Sequence, residues 1–341
     1  MYDMRLAVVI LNWNGEKYLH EFLPAVVSTL PPYAKIFVAD NASTDGSVSF
    51  LKKYYPQVNM ILLDKNYGYA GGYNKALQKI SAEFFVLLNS DILVTGGWIE
   101  KIVDFMDDDK TIACCQPKIL NYYHPQFFEY AGASGGFIDY LGYPFCQGRI
   151  FDTLEKDDSQ YDNPVEIFWA SGACLFLRSE AFYEVSGFDD DFFAHMEEVD
   201  MCWRLKRKGW RVFSYPKSVV YHVGGGTLPK NNPYKTFLNF RNSHYMLAKN
   251  LNNSRFIPLF IIRILLDQLA AFVFLFKGQT KDFIAVWKAL FAAFSMIKAN
   301  RKKYNALPDV KVKGIYRKSI VKNYFFNGEK KFSDLKKEYF T

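Results

Sequence analysis

The chain has five cysteines, an odd number that includes the adjacent Cys114 and Cys115, and no CxxC pair. That usage excludes a disulfide framework, argues against a thiolate metal site, and fits buried thiols in a reducing compartment. No GxGxxG follows the first apolar run. The residues that do follow it, Asn12-Trp13-Asn14-Gly15, make no Gly-rich loop bearing Arg or Lys. A dinucleotide oxidoreductase needs the first of these features. A sugar nucleotidyltransferase, which is built on a similar α/β body, needs the second. Met1 to Arg5 leads directly into Leu6 to Leu11, a run too short for the core of a signal peptide, so none is expected. No interleaved basic and aromatic motif marks a nucleic-acid surface.

What is present is ample apolar material. Half of the 341 residues are hydrophobic and 18% are aromatic, enough for a large core; the length predicts two domains or one domain with an extension. The net charge of +7 conceals a division. Residues 1–229 hold 20 Lys+Arg against 29 Asp+Glu, a balance of −9, and residues 230–341 hold 22 against 6, a balance of +16. The expected boundary is therefore near 229. An acidic body precedes a basic surface suited to phosphates or an anionic membrane.

Leu6–Leu11, Ile36–Ala39, Val58–Leu63 and Phe84–Leu88 are apolar runs, each followed by a polar loop, with helical patterns at Glu16–Leu30, from a cap at Ser43 or Asp45 to Tyr55, and up to about Ile80. Strand alternating with helix four times predicts a doubly wound, mostly parallel α/β sheet. Ligands of such sheets bind at the carboxyl ends of the strands. The run from Phe84 ends there in Asn89-Ser90-Asp91, so Asp91 either caps the next helix or holds a metal-bound phosphate. Asp40 and Asn41 can hydrogen-bond a base edge and Trp13 can lie against its face. Gly68, Gly71 and Gly72 permit close backbone approach. Singly, each also reads as a cap, a core aromatic or a turn glycine. Residues 113–168 are irregular, either an insertion that shapes specificity or an ordinary sheet edge. A second dense stretch runs from Phe168 to Arg178 and on through Phe193-Ala194-His195-Met196 to Glu197-Glu198-Val199-Asp200, where a helix is expected to begin. Three acids in four residues suit a helix N-terminus and equally a general base. Trp210–Tyr215 and Val219–His222 follow as strand, ending in Gly224-Gly225-Gly226.

Taken in order, Val9 to Gly15, Asp40 to Ser47, Asn66 to Asn74, Leu88 to Asp91, Ser171 to Ala173, Gly187 to Asp189, Phe193 to Asp200 and Val220 to His222 strongly resemble the family 2 glycosyltransferases of the GT-A fold. Within that family the chain resembles the rhamnosyltransferase-like branch of bacterial surface-polysaccharide enzymes. The resemblance covers roughly residues 5–227. It implies an α/β nucleotide-diphospho-sugar transferase fold and inverting transfer from a UDP- or dTDP-sugar, rhamnose included, to a saccharide or lipid-linked saccharide hydroxyl, with Mg²⁺ or Mn²⁺ as cofactor. It further implies that Asn12, Trp13, Asp40 and Asn41 hold the base, within a nucleotide site that includes Asn66, Gly68, Gly72, Asn74, Asn89 and Ser90. Asp91 and His222 would hold the metal, and Trp169, Ser171, Gly172 and His195 would face the acceptor or donor sugar. Two departures matter. Asn89 replaces the first aspartate of the family's DxD, and Glu197-Glu198 stands where most members have Glu-Asp. The base is therefore Glu198, Glu197 or Asp200. A catalytically inactive, nucleotide-binding membrane adaptor is the non-enzyme alternative.

The basic extension contains two apolar stretches, Phe256–Phe276 and Phe283–Ile297, the second followed by Arg301-Lys302-Lys303. Arg263 and Asp267 interrupt the first at a spacing that puts both on one helix face. Two helices lying on the inner leaflet are expected, making the enzyme cytoplasmic and peripherally membrane-associated; packing on the body and a true span are the alternatives.

Overall fold

Runs such as Phe84 to Leu88 are buried on both faces, which only a sheet sandwiched between helices provides. In the computed structural model, which describes residues 2–224, 232–300 and 310–341, the elements follow the expected alternation. They are β1 (Met4–Asn12), α1 (Glu16–Ser28), β2 (Ala34–Asp40), α2 (Ser47–Tyr54), β3 (Asn59–Leu62), α3 (Gly68–Leu77), β4 (Ala82–Asn89), β5 (Ile92–Val94), α4 (Glu100–Asp108) and β6 (Ile112–Asn121). Short strands follow: β7 (Gly136–Asp139), β8 (Pro144–Cys146), β9 (Arg149–Ile150), β10 (Thr153–Leu154) and β11 (Val165–Glu166). β12 (Cys174–Arg178), α5 (Ser179–Glu184), α6 (Glu197–Arg207) and β13 (Arg211–His222) come next. The C-terminal region adds α7 (Pro233–Asn250), α8 (Asn253–Phe276), α9 (Thr280–Asn300), β14 (Ile315–Tyr316) and α10 (Ile320–Phe325). Gly225, Gly226 and Arg301 to Lys303 lie outside the described residues.

The main sheet runs β11-β13-β6-β12-β4-β1-β2-β3, with β5 paired to β13. β3, β2, β1 and β4 are mutually parallel, as their alternation with helices requires, and β12 enters antiparallel between β4 and β6. The sheet is therefore mixed, with its parallel half on the N-terminal side. Register fixes the functional edge: Asn12 lies opposite Asp40, and Leu11 opposite Asn89. Antiparallel pairing of β13 with β5 sets His222 opposite Ile92, the residue after Asp91.

Residues 136–154 form a second small sheet, β10-β9-β8-β7, which the C-terminal strand β14 completes. Its core is aromatic: Phe137, Phe145, Tyr316, Phe332 and Phe340 pack ring against ring. The irregularity of this stretch in sequence has a physical cause, since strands of two to four residues show no periodicity.

In α8, Arg263 and Asp267 are buried against the body. Arg263 donates to Leu141 O at 3.0 Å and to Ser243 Oγ at 2.8 Å, and lies 3.8 Å over the Tyr143 ring. Asp267 meets His244 Nε2 at 2.6 Å. The opposite face is exposed and apolar, with Ile257, Ile261, Leu265, Leu269, Phe272 and Phe276 at spacings of three and four. Removing one member of a buried ionic cluster leaves the other uncompensated, so Arg263→Ala is expected to cost ~3–5 kcal/mol in urea unfolding. A loss below about 1 kcal/mol would show that the cluster does not hold α8 to the body.

Candidate active site

Three groups of residues meet at the carboxyl edge of the sheet. The first is a pocket at the ends of β1 and β2. The register that sets Asn12 beside Asp40 lets Asn12 Nδ2 donate to Asp40 Oδ2 at 3.1 Å and to Ser43 Oγ at 3.2 Å. Asp40 Oδ1 also accepts from Ser43 N at 2.9 Å, and Trp13 stands 41% exposed beside this pocket's entry loop. Asn41 spans to the next loop: its amide donates to Asn66 Oδ1 and Gly68 O at 3.0 Å and accepts from Tyr67 N at 2.9 Å. Asn66 in turn accepts from Gly68 N, while Asn74 bridges Phe188 O and Asp190 Oδ1. These asparagine side chains are spent on joining loops, so they shape the pocket rather than face it. Gly72 is needed for packing, because a Cβ there would come within 2.9 Å of Leu11. Asn89 joins the end of β4 to the turn before β12 through its N–H to Ala173 O at 2.9 Å, and Ser90 stands near Asn12, its Oγ 3.2 Å from where a Cβ on Gly15 would sit.

The second group is Asp91, His222 and Glu129. His222 Nε2 lies 3.1 Å from Asp91 Oδ1, and His222 Nδ1 lies 3.1 Å from Glu129 Oε2, all three residues being buried. Burial would lower the imidazole pKa, but Glu129 and Asp91 together push it up to about 10. Burial would raise the Asp91 carboxyl, and the facing His222 reverses this and holds it below the usual range. Asp91 and His222 offer a carboxylate oxygen and an imidazole nitrogen, a donor pair that fits Mg²⁺ or Mn²⁺ if phosphate oxygens and water complete the shell. A carboxylate behind the far nitrogen, the place of Glu129, is the usual orienting partner of a ligating histidine. Among the described residues no three His, Cys, Asp or Glu side chains already surround one metal position. Glu129 had no signal in the sequence: a single acid among aromatics, 93 residues from its partner.

The third group is the start of α6. Glu197 is buried and Glu198 only partly so. Burial raises both carboxyls, Glu197 well above its ordinary range with a further push from Glu198, and Glu198 to about 7. Asp200 is different. Arg204 Nε at 2.8 Å, Lys249 Nζ at 2.9 Å and Asn250 Nδ2 at 2.8 Å enclose it, and burial notwithstanding, Lys249 and Arg204 hold its carboxyl below the usual range. His195, pushed down to about 4 by burial and then by Lys235, is neutral at physiological pH and precedes the pair on a left-handed turn.

The sugar-side candidates are largely structural. Trp169 is buried, donates to Phe137 O at 3.0 Å, and covers Gly136 so closely that a Cβ would fall 2.1 Å from its ring. Ser171 donates to Ala131 O and accepts from Ala173 N at 3.2 Å. Gly172 O accepts from Tyr69 Oη at 2.7 Å, joining this turn to α3.

The two acids of α6 should respond oppositely to mutation. Asp200→Ala leaves Lys249 and Arg204 without their shared anion and is expected to cost ~3–5 kcal/mol in denaturant melts. Glu198→Gln should not destabilise. Its folded pKa, about 7, lies above the ordinary 4.5, so the fold favours the neutral form. That stabilising contribution is complete below about pH 4.5 and is lost as pH rises through 7. The Gln variant should therefore match wild type at pH 4 and exceed it by on the order of 1–3 kcal/mol at pH 8. A Gln variant less stable than wild type at pH 8 would contradict the burial argument.

Residues 7–173 match the family model described as glycosyl transferase family 2. An N-acetylglucosaminyl-diphospho-decaprenol L-rhamnosyltransferase of Mycobacterium tuberculosis is 26% identical over 235 residues, covering 64% of this chain and 75% of that protein. Among solved structures, GalNAc-T7 with UDP, GalNAc and Mn²⁺ superposes with a TM-score of 0.59 at 15% identity, over 89% of this chain and 58% of that one. S. aureus TarS 1-349 in complex with UDP-GlcNAc gives 0.55 at 14% identity, over 86% and 82%. The chain is thus a glycosyltransferase of the GT-A fold, similar over residues 7–173 to glycosyltransferase family 2 and, within it, to a rhamnosyltransferase.

Proposed function

We propose that the enzyme moves a sugar, with inversion, from a UDP- or dTDP-sugar to a hydroxyl of a lipid-linked or polysaccharide acceptor, with rhamnose among the donor sugars. The observation that carries this reading is the convergence, on one sheet edge, of the Asn12–Asp40 pocket, the Asp91–His222 pair and a glutamate of raised pKa. Asp40 and Asn12 would receive the base, with Trp13 against its face. Asp91 and His222 would hold a divalent metal, which when bound supplies positive charge for the departing diphosphate. Glu198 is the general base: it is partly exposed, and a pKa near 7 lets it accept the acceptor's proton at physiological pH. Glu197 is more enclosed, and burial together with the neighbouring Glu198 raises its carboxyl well above the ordinary range. Asp200 is an anchor. Direct displacement with one base inverts the anomeric centre. The relative in M. tuberculosis is named for rhamnosyl transfer to a lipid diphosphate sugar, which supports the donor and acceptor classes.

The reading extends to the C-terminal helices. α8 is long and apolar enough to cross a membrane by length and composition. Arg263 and Asp267, however, face the body, and the apolar stripe of α8 continues on α9 as exposed Ile284, Trp287, Phe291 and Phe294. Exposed Lys277, Lys281, Lys288 and Lys298 border that surface. We infer that the pair lies in the anionic inner leaflet, placing a cytoplasmic active site near a lipid-linked acceptor.

A thermal-shift screen of nucleotide sugars with Mn²⁺ should select a UDP- or dTDP-sugar, and acceptor-dependent nucleotide release should follow. Glu198→Gln should lower kcat by ~10²–10⁴-fold. In wild type, kcat/KM should rise with pH and reach half its plateau near 7, since the base must lose its proton. Full activity in the Gln variant would move the base elsewhere, and full activity in Asp91→Ala would remove the metal role. For the membrane, Leu265→Glu/Leu269→Glu should reduce cosedimentation with phosphatidylserine vesicles at least tenfold; unchanged binding would exclude this face.

A further inference from the structure

The segment that delivers the two glutamates is strained. Phe193, His195 and Met196 have φ of 64°, 69° and 70°, a left-handed conformation that costs non-glycine residues energy. Met196 is also the N-cap of α6, and its side chain makes no capping bond. Something outside the segment must hold it.

The holder is α7. Asn242, fully buried, directs its amide N–H groups at three carbonyls of the turn: Phe192 O at 2.9 Å, Ala194 O at 2.9 Å and His195 O at 2.7 Å. Its Oδ1 accepts from Arg241 Nε at 2.7 Å, and Arg241 Nη2 donates to Asp191 O and Phe192 O at 3.0 and 2.9 Å. One and two helical turns on, Tyr245 Oη reaches Asp189 and Asp191, and Lys249 bridges Asp189 and Asp200. These residues recur at the spacing of one helix face. On the opposite side of the turn, Phe193 O accepts from Tyr69 N at 2.7 Å and Ala70 N at 3.2 Å, the first turn of α3, where a Cβ on Gly68 would come within 2.4 Å of that oxygen.

We propose that Asn242, assisted by Arg241, is a positioning residue for the general-base segment: it holds the Phe192–Met196 turn in its left-handed form and, through Phe193 O, couples the placement of Glu197 and Glu198 to the nucleotide-side end of α3. This rests on the reading of Glu198 as base for its catalytic consequence, and on geometry alone for its structural one. Because the amide acts through donors, shape is not enough. An aspartate of the same size would set a carboxylate against three carbonyl oxygens.

The test compares Asn242→Ala and Asn242→Asp with Leu247→Ala, which truncates a buried α7 side chain that lies against Gly142. Hydrogen exchange needs no turnover. Both Asn242 variants should speed exchange in peptides covering 192–200 and at Tyr69 and Ala70, while Leu247→Ala should not. In nucleotide-release assays both should lower kcat at least tenfold and leave affinity for UDP within threefold. Should Asn242→Ala fail to fold, Arg241→Lys, at a partly exposed position, should give the same pattern at smaller amplitude. Exchange changes confined to α7, an Asn242→Asp enzyme equal to wild type, or losses matching those of Leu247→Ala would overturn the proposal. If exchange responds as expected while Glu198→Gln keeps full turnover, the positioning stands and the base assignment falls.

Discussion

The carboxylate of Asp200 is the tie on which the rest of the site depends. Arg204 reaches it from the next turn of α6 and continues to the carbonyls of Val185 and Gly187, so the preceding loop is gathered in. Lys249 and Asn250 reach it from α7. One buried anion thus joins three segments that are distant in sequence. A buried ion with several good partners contributes more to defining a single arrangement than to net stability, because desolvation offsets much of the attraction. Here the arrangement in question is that of the first turn of α6, three residues upstream.

The same interaction bears on the charge division in the chain. The acidic body ends in a cluster at Asp189 to Asp200, and the basic region opens with α7. Lys249 and Arg241 of that helix are directed at this cluster, not at an external anion. Part of the basic excess after residue 230 is therefore internal counter-charge. Lys277, Lys281, Lys288 and Lys298, at the end of α8 and along α9, are exposed beside the apolar stripe and remain for a lipid headgroup. A boundary drawn by composition near 229 separates opposite charges that the fold brings together.

How legible the structure was in the sequence follows from the range of each interaction. The strands of the parallel half were readable because burial on both faces leaves an unbroken apolar run, as at Val86, Leu87 and Leu88. The loops after them were readable because a ligand edge demands short polar residues and glycine. Trp210–Tyr215 and Val219–His222 were legible as strand, but their union into one β13 across Pro216 was not, since the bulge between Tyr215 and Val219 is set by pairing with β6. Asp45 illustrates a partial success: it accepts from Ser47 N at the start of α2, but also from Glu16 N, so one carboxylate serves two helices. Glu129 and Asn242 were invisible. Their roles exist only through partners 93 and about 47 residues away, and neither residue type is unusual where it stands.

The two proposed chemical roles differ most in the company each carboxylate is given. Asp91 is buried against His222, which outweighs desolvation and holds its carboxyl below the usual range. Glu198 is half-buried beside another glutamate with backbone N–H groups as its main relief, and its pKa rises to about 7. Carboxylates pushed in opposite directions by their surroundings are suited to opposite tasks, one to hold fixed charge and the other to exchange a proton. The fold achieves the difference by sending its available cations elsewhere. Arg204 pairs with Asp200, and Lys249 with Asp200 and Asp189. Withholding a cation from Glu198 is thus a consequence of the anchor beneath it. Structure and proposed basicity at this helix N-terminus cannot be altered independently.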